Sequence, residues 1–325
     1  MVNVIARSVA RLTLSRRKGT DQLGIPRSKR PAMPRKDRLD AFGVSALVAV
    51  QLLFSFNQII IKIVNQGLQP VFFAGLRSGL AVVFVAGWLW LRGRPPRLSW
   101  ATVPAGLLIG CAFSAEFIFL FEALDLTTVG RTSVIFYSMP VWLALMAHFG
   151  LPGERISPIK AVGLGLAFAG TAWAILDRTA GGAGSLIGDL CALAAAVAWA
   201  ATAFVARKPT MAKVGPEMQL FWMVLVSTPI LLAASLFFGP LIRDLQPLHI
   251  VLLLFQAGVV VAGGFIAWLW LLAAYPAATV ASFSFLTPIF ALTLGAVVFS
   301  EPLDRSVLGA AVLVTLGIIL INRKP

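Results

Sequence analysis

Ten stretches, each of about 20 mostly apolar residues, follow one another along the chain. They occupy 42–64, 70–91, 101–122, 127–148, 157–176, 186–206, 217–238, 248–272, 276–299 and 305–322. A helix rises ~1.5 Å per residue, so about 20 residues cross a hydrocarbon layer of ~30 Å. In that layer a lone segment satisfies its backbone hydrogen bonds only as a helix. The pattern predicts an all-α integral membrane protein with ten transmembrane helices. Composition points the same way: 59% of residues are hydrophobic and 12% charged, against about 25% charged in soluble domains. The connections are short and hold turn residues, as in "RGRPPRLSW" at 92–100, "TAGGAGS" at 179–185 and "FGPLIRDLQP" at 238–247. None leaves room for a soluble domain.

The formal net charge is +14, yet the basic residues sit between apolar runs and in residues 1–39, not along one face, which speaks against nucleic acid as a partner. Counting Lys and Arg on alternate sides gives 21 on the side of the N-terminus and 3 on the other. By the excess of basic residues in cytoplasmic loops, both termini are expected in the cytoplasm of a cell bounded by this membrane, the plasma membrane or bacterial inner membrane. Residues 1–39 carry eleven Lys or Arg and lack the apolar core of a signal peptide. They read as a disordered cytoplasmic tail, with Met1 or Met33 as initiator, or alternatively as an Arg-rich transit peptide. Cys111 and Cys191 lie far apart inside apolar runs, and His148 and His249 fall at opposite faces. No disulfide framework, metal site or other cofactor is implied.

The two halves of the chain resemble each other. "YSMPVWLALMAHFGLPGERISPIKAVGLGLAFAGTAWAIL" aligns with "FLTPIFALTLGAVVFSEPLDRSVLGAAVLVTLGIILI", matching Pro140 to Pro288, Glu154 to Glu301 and Gly170 to Gly317. The expected organisation is the tail at 1–39, a first repeat at 40–178 and a second at 186–322. Five helices per repeat is an odd number, so the second copy enters the membrane upside down. Inverted repeats of this kind form a site near the midplane that two alternate tilts expose to either side.

The order of these elements resembles the EamA family of the drug/metabolite transporter superfamily: a helix ending in Ala-Leu ("EALDLTTVG"), a Pro in the next helix, a corner of the type "LPGERIS", a Gly-rich helix, and then the series again with "SEPLD". It covers residues 42 to 322. The resemblance implies a ten-helix transporter of small organic metabolites, often an exporter of amino acids or related compounds, with a central cavity between the halves. The second copy departs from the Ala-Leu signature, reading "LLAAYPAATV".

Several polar residues lie inside the spans. Gln51, Ser55, Gln58 and Lys62 recur at i, i+4, i+7 and i+11, which puts them on one helical face. That face either lines a cavity or packs through interhelical hydrogen bonds; Lys62, near the outer end, is expected to snorkel to the interface. Arg77 and Glu116 each lie about 9–10 Å below the outer ends of their helices. They are read as a structural ion pair or as part of a substrate or proton site. Arg131 shares a face with Ser138 and could reach a cavity. Pro140 and Pro288 are expected to kink their helices beside Tyr137, Ser138, Ser284 and Thr287. Trp199 and Trp268 either pack or stack on a substrate. Glu154 and Glu301 are read as structural carboxylates that accept backbone N–H groups of the following helix.

The chain therefore reads as a secondary transporter, not an enzyme. It would move a small amphipathic metabolite outward by alternating access, with lipid as its surroundings and protons as a candidate coupling ion. A membrane enzyme for lipid-linked substrates and a channel or scaffold are the alternatives. ATP-binding and hydrolase motifs are missing from the sequence.

Overall fold

The computed structural model describes residues 40–151, 156–177, 185–212, 214–275, 283–303 and 305–322. The first half holds α1 (Ala41–Gly67), α2 (Pro70–Leu91), α3 (Val103–Leu126), α4 (Val129–Phe136), α5 (Met139–Gly150) and α6 (Pro158–Leu176). The second holds α7 (Leu186–Arg207), the single turn α8 (Pro209–Ala212), α9 (Pro216–Ser235), α10 (Pro247–Phe255), α11 (Phe265–Ala274), α12 (Leu286–Phe299) and α13 (Arg305–Asn322). Among the described residues eight spans are long and apolar enough to cross a membrane, and Leu286–Phe299 and Arg305–Ile321 are shorter apolar helices. The expected tail at 1–39, the corner residue Glu154 and the 276–282 part of the ninth span lie outside the described residues.

Local chemistry sets the ends of these helices. Asp40 accepts from the Gly43 amide at 2.8 Å, Gln69 from that of Phe72 and Thr128 from that of Arg131, so free N–H groups at the first turns are satisfied. Proline occupies the first turn of α2, α3, α5, α6, α9 and α10, where its missing N–H costs no hydrogen bond.

The fourth and eighth spans are not uniform helices. Between α4 and α5 the helix breaks at Tyr137 and Ser138, just ahead of Pro140, as the proline predicts. Between α10 and α11 the chain forms a π-helical segment, Gln256–Gly264, where the sequence suggests one continuous helix. Pro288, like its repeat partner, lies in the first turn of a helix, α12, after a 3₁₀ turn at Phe283–Phe285. The expected kink of the ninth span at Pro288 involves 276–282, which lie outside the described residues.

The most extensive helix packings run between the halves: α6 with α13, α3 with α7, α9 with α2 and α3, and α12 with α1. Lipid is as apolar as the helix surfaces, so close backbone approach and buried polar contacts hold such bundles together. At the α6–α13 crossing a Cβ on Gly163 would sit 2.7 Å from the Gly317 carbonyl oxygen, and one on Gly317 would sit 2.5 Å from that of Gly163. Only hydrogen fits in either place.

Candidate functional site

A cavity of about 310 Å³ opens between the halves. From α1 it takes Gln51, Phe54, Asn57 and Gln58; from α2, Arg77; from α3, Phe113, Glu116, Phe117 and Leu120. Phe136 and Tyr137 enter at the break after α4, Trp199, Thr202 and Ala203 from α7, and Met223 from α9. Val260 and Val261 of the π segment, Phe265 and Trp268 of α11, and Ser284 complete the wall.

Eight of the residues singled out in the sequence thus meet in one place: Gln51, Gln58, Arg77, Glu116, Tyr137, Trp199, Trp268 and Ser284. Ser55 and Thr287 lie behind the wall. The Thr287 hydroxyl donates to Gln51 Oε1 at 2.6 Å, and Ser55 Oγ donates to the Thr287 carbonyl at 2.9 Å. They orient Gln51 and leave its Nε2 without a partner. Gln58 is held from the other side, accepting from Ser133 Oγ at 2.6 Å. Ser138 is buried away from the cavity and accepts from Trp142 Nε1 at 3.2 Å.

Three expectations are corrected. Arg131 does not reach the cavity: its Nη2 lies 2.7 Å from Asp189 Oδ2 and also donates to the Ala174 carbonyl. It staples α4 to α6 and α7. Lys62 does not snorkel; it turns inward to Glu301 Oε1 at 3.0 Å and donates to the Thr127 carbonyl at 2.8 Å. Glu301, in turn, meets no amide of the following helix among the described residues. It accepts from the amides of Val129 and Gly130, at 2.9 and 3.2 Å, and so caps a helix of the other half.

Arg77 and Glu116 are 2% and 5% exposed and border the same cavity without forming an ion pair. The Arg77 guanidinium lies 4.0 Å from the Phe117 ring centroid and 4.8 Å from that of Phe121, a stacking that suits a delocalised cation. Its Nε and Nη2 have no hydrogen-bond acceptor, and Glu116 Oε2 has no donor. Polar groups left so in a low-dielectric interior are costly, and such groups mark binding sites. Below them the wall is aromatic: Phe136 stacks on Trp199 with ring centroids 4.7 Å apart, and Tyr137 meets Trp199 edge-on at 5.7 Å. The cavity therefore combines two charged groups, a set of aromatic rings and neutral polar side chains such as Gln51, Asn57 and Gln58.

The sequence reading missed Phe113, Phe117 and Leu120. The signal was present, because with Glu116 they fall at helical spacing on one face of α3. Among the described residues no group of three His, Cys, Asp or Glu is placed to hold a metal ion.

The family model described as EamA-like transporter family matches residues 41–176 and 186–323. Over 302 residues the chain is 28% identical to an Escherichia coli (strain K12) protein named probable amino-acid metabolite efflux pump, covering 88% of this chain and 94% of that protein. It is 29% identical over 265 residues to the Bacillus subtilis (strain 168) protein named uncharacterized transporter YvbV, covering 78% and 83%. A protein of known crystal structure shares the fold with a TM-score of 0.60 at 19% identity, over 86% of this chain and 95% of that one.

Proposed function

The chain belongs to the EamA-like transporter family and is an integral membrane transporter, and from that premise we propose that it exports a small amphipathic zwitterion, of the amino-acid type, by alternating access. The observation that carries the reading is the cavity that holds an arginine and a carboxylate without an ion pair between them, together with several aromatic rings. A carboxylate of the substrate would accept from the unpartnered Nε and Nη2 of Arg77, a planar fork suited to two-point contact. The substrate's ammonium group would face Glu116, and its apolar part Trp199 and Trp268. The name of the Escherichia coli relative points to the same substrate class and to outward transport.

We read the fold as ten transmembrane helices in two inverted repeats, with both termini cytoplasmic and the protein in the bacterial inner membrane. The α6–α13 crossing supports this reading. Glu154 and Glu301 set the repeat offset, by which Gly163 corresponds to Ala310 and Gly170 to Gly317. Gly163 touches Gly317, and Gly170 touches Ala310, so contacts are exchanged crosswise between equivalent positions. A two-fold axis lying in the membrane plane produces that pattern, and one along the membrane normal would instead pair like with like.

Glu116 is the group in the cavity able to carry a proton through the cycle. In proteoliposomes, an imposed pH gradient should drive amino-acid flux by the unmodified protein. Glu116→Gln should keep counterflow of labelled substrate and lose its response to the gradient. Undiminished gradient response in that variant would remove protons as the coupling ion.

A further inference from the structure

Three ion pairs are described with both partners in place: Lys62–Glu301, Arg131–Asp189 and Arg243–Asp125. Each joins the first half to the second, and they cluster at one end of the bundle: Lys62 and Asp189 both meet Thr127, and Arg243 meets the Asn65 carbonyl. None of the six paired residues lines the cavity. On α7 its residues begin at Trp199, ten residues and about 15 Å of helix from Asp189. Ahead of α12 it is bordered at Ser284, in the 3₁₀ turn at the end opposite Glu301. The face with the ion pairs is therefore closed in this conformation.

Glu301 differs from the other two carboxylates in what it holds. One oxygen is shared between the Lys62 ammonium and the Val129 amide, and the other accepts from the Gly130 amide. A single side chain thus ties the end of α1 and the start of α4 to the second half. Its placement is built in. Ser300 adopts φ 53°, a left-handed conformation unusual for a residue with a side chain, and the turn lays Glu301 back over Gly295, whose missing Cβ would lie 2.6 Å from Oε2. A lysine that turns to a part-buried carboxylate, and a strained turn that presents that carboxylate to the other half, go beyond what capping one helix requires.

We propose that Glu301 is the gating residue of transport: its carboxylate fastens the second half to the first across the closed face, and its release accompanies the opening of that face. This rests on the alternating-access reading above. Opening needs the Lys62 contact and the α4 contacts to part together, because the two halves tilt as bodies.

The test uses the full chain with Cys111 and Cys191 replaced by alanine, and Ala203→Cys in the cavity wall as reporter. Labelling by a membrane-impermeant thiol reagent is followed in right-side-out and inside-out vesicles. Glu301→Gln should speed labelling from the face that carries Asp244 by about tenfold, the effect of losing ~1.4 kcal/mol of closure, and slow it from the other. Lys62→Met removes the same ion pair and leaves Glu301 capping α4, so it should act in the same direction if the glutamine variant fails to fold. Equal labelling before and after substitution, in a variant that melts like the parent, would overturn the gate and leave a purely structural carboxylate. If the parent labels from only one face under every substrate gradient, alternating access fails, and the gate with it.

Discussion

At the scale of single residues, two arginines inside the spans meet opposite fates. Arg131 is surrounded by acceptors, with Asp189 at 2.7 Å and backbone carbonyls of α6 completing its fork. Arg77 has two ring faces and two idle donor nitrogens. Arg131→Met leaves the fully buried Asp189 without its main partner, so it should destabilise the protein by about 3–5 kcal/mol, and pairing it with Asp189→Leu should recover much of that. Arg77→Met should do the reverse: it removes unsatisfied donors, stabilising by about 1–3 kcal/mol, while the melting shift given by saturating substrate disappears. Thermal melts in detergent, with and without amino acids, check both. Outside the spans, Arg243 makes a two-point contact with Asp125 at 2.8 and 2.9 Å. That hydrogen bonding raises the guanidinium above its ordinary pKa, so its charge persists at every pH the protein meets.

At the scale of helices, most boundaries were legible, because caps and first-turn prolines act on their own few residues. The break before α5 was legible too, from Pro140. The π segment at Gln256–Gly264 was not. No proline marks it, and Gln256 Nε2 bonds across to the Asn57 carbonyl at 3.1 Å, a contact made only once α1 is in place. The α6–α13 crossing depends on glycine at both contact points. Gly317→Ala should push the helices apart and cost about 1–3 kcal/mol, read as a lower melting temperature. Gly165→Ala, on the same helix pair but with open space around its Cβ, should be close to neutral.

At the scale of the molecule, the expected topology makes a prediction of its own. In sealed cells, a protease site fused to either terminus should be protected, and one inserted at Asp244 should be cleaved from outside. The opposite result would reverse the reading drawn from the 21-to-3 excess of basic residues. The sequence by itself determined the class of the protein, the course of its apolar helices, its internal repeat and most of its cavity-facing polar residues, because hydropathy, capping and helical periodicity are short-range properties. Tertiary structure decided which buried charges are bound and which are free. Lys62 finds Glu301 across 239 positions of sequence, and Arg131 is diverted to Asp189 while Arg77 stays open to the cavity. Those outcomes depend on how each helix is rotated against neighbours from the other half, and no local pattern in the chain encodes that rotation.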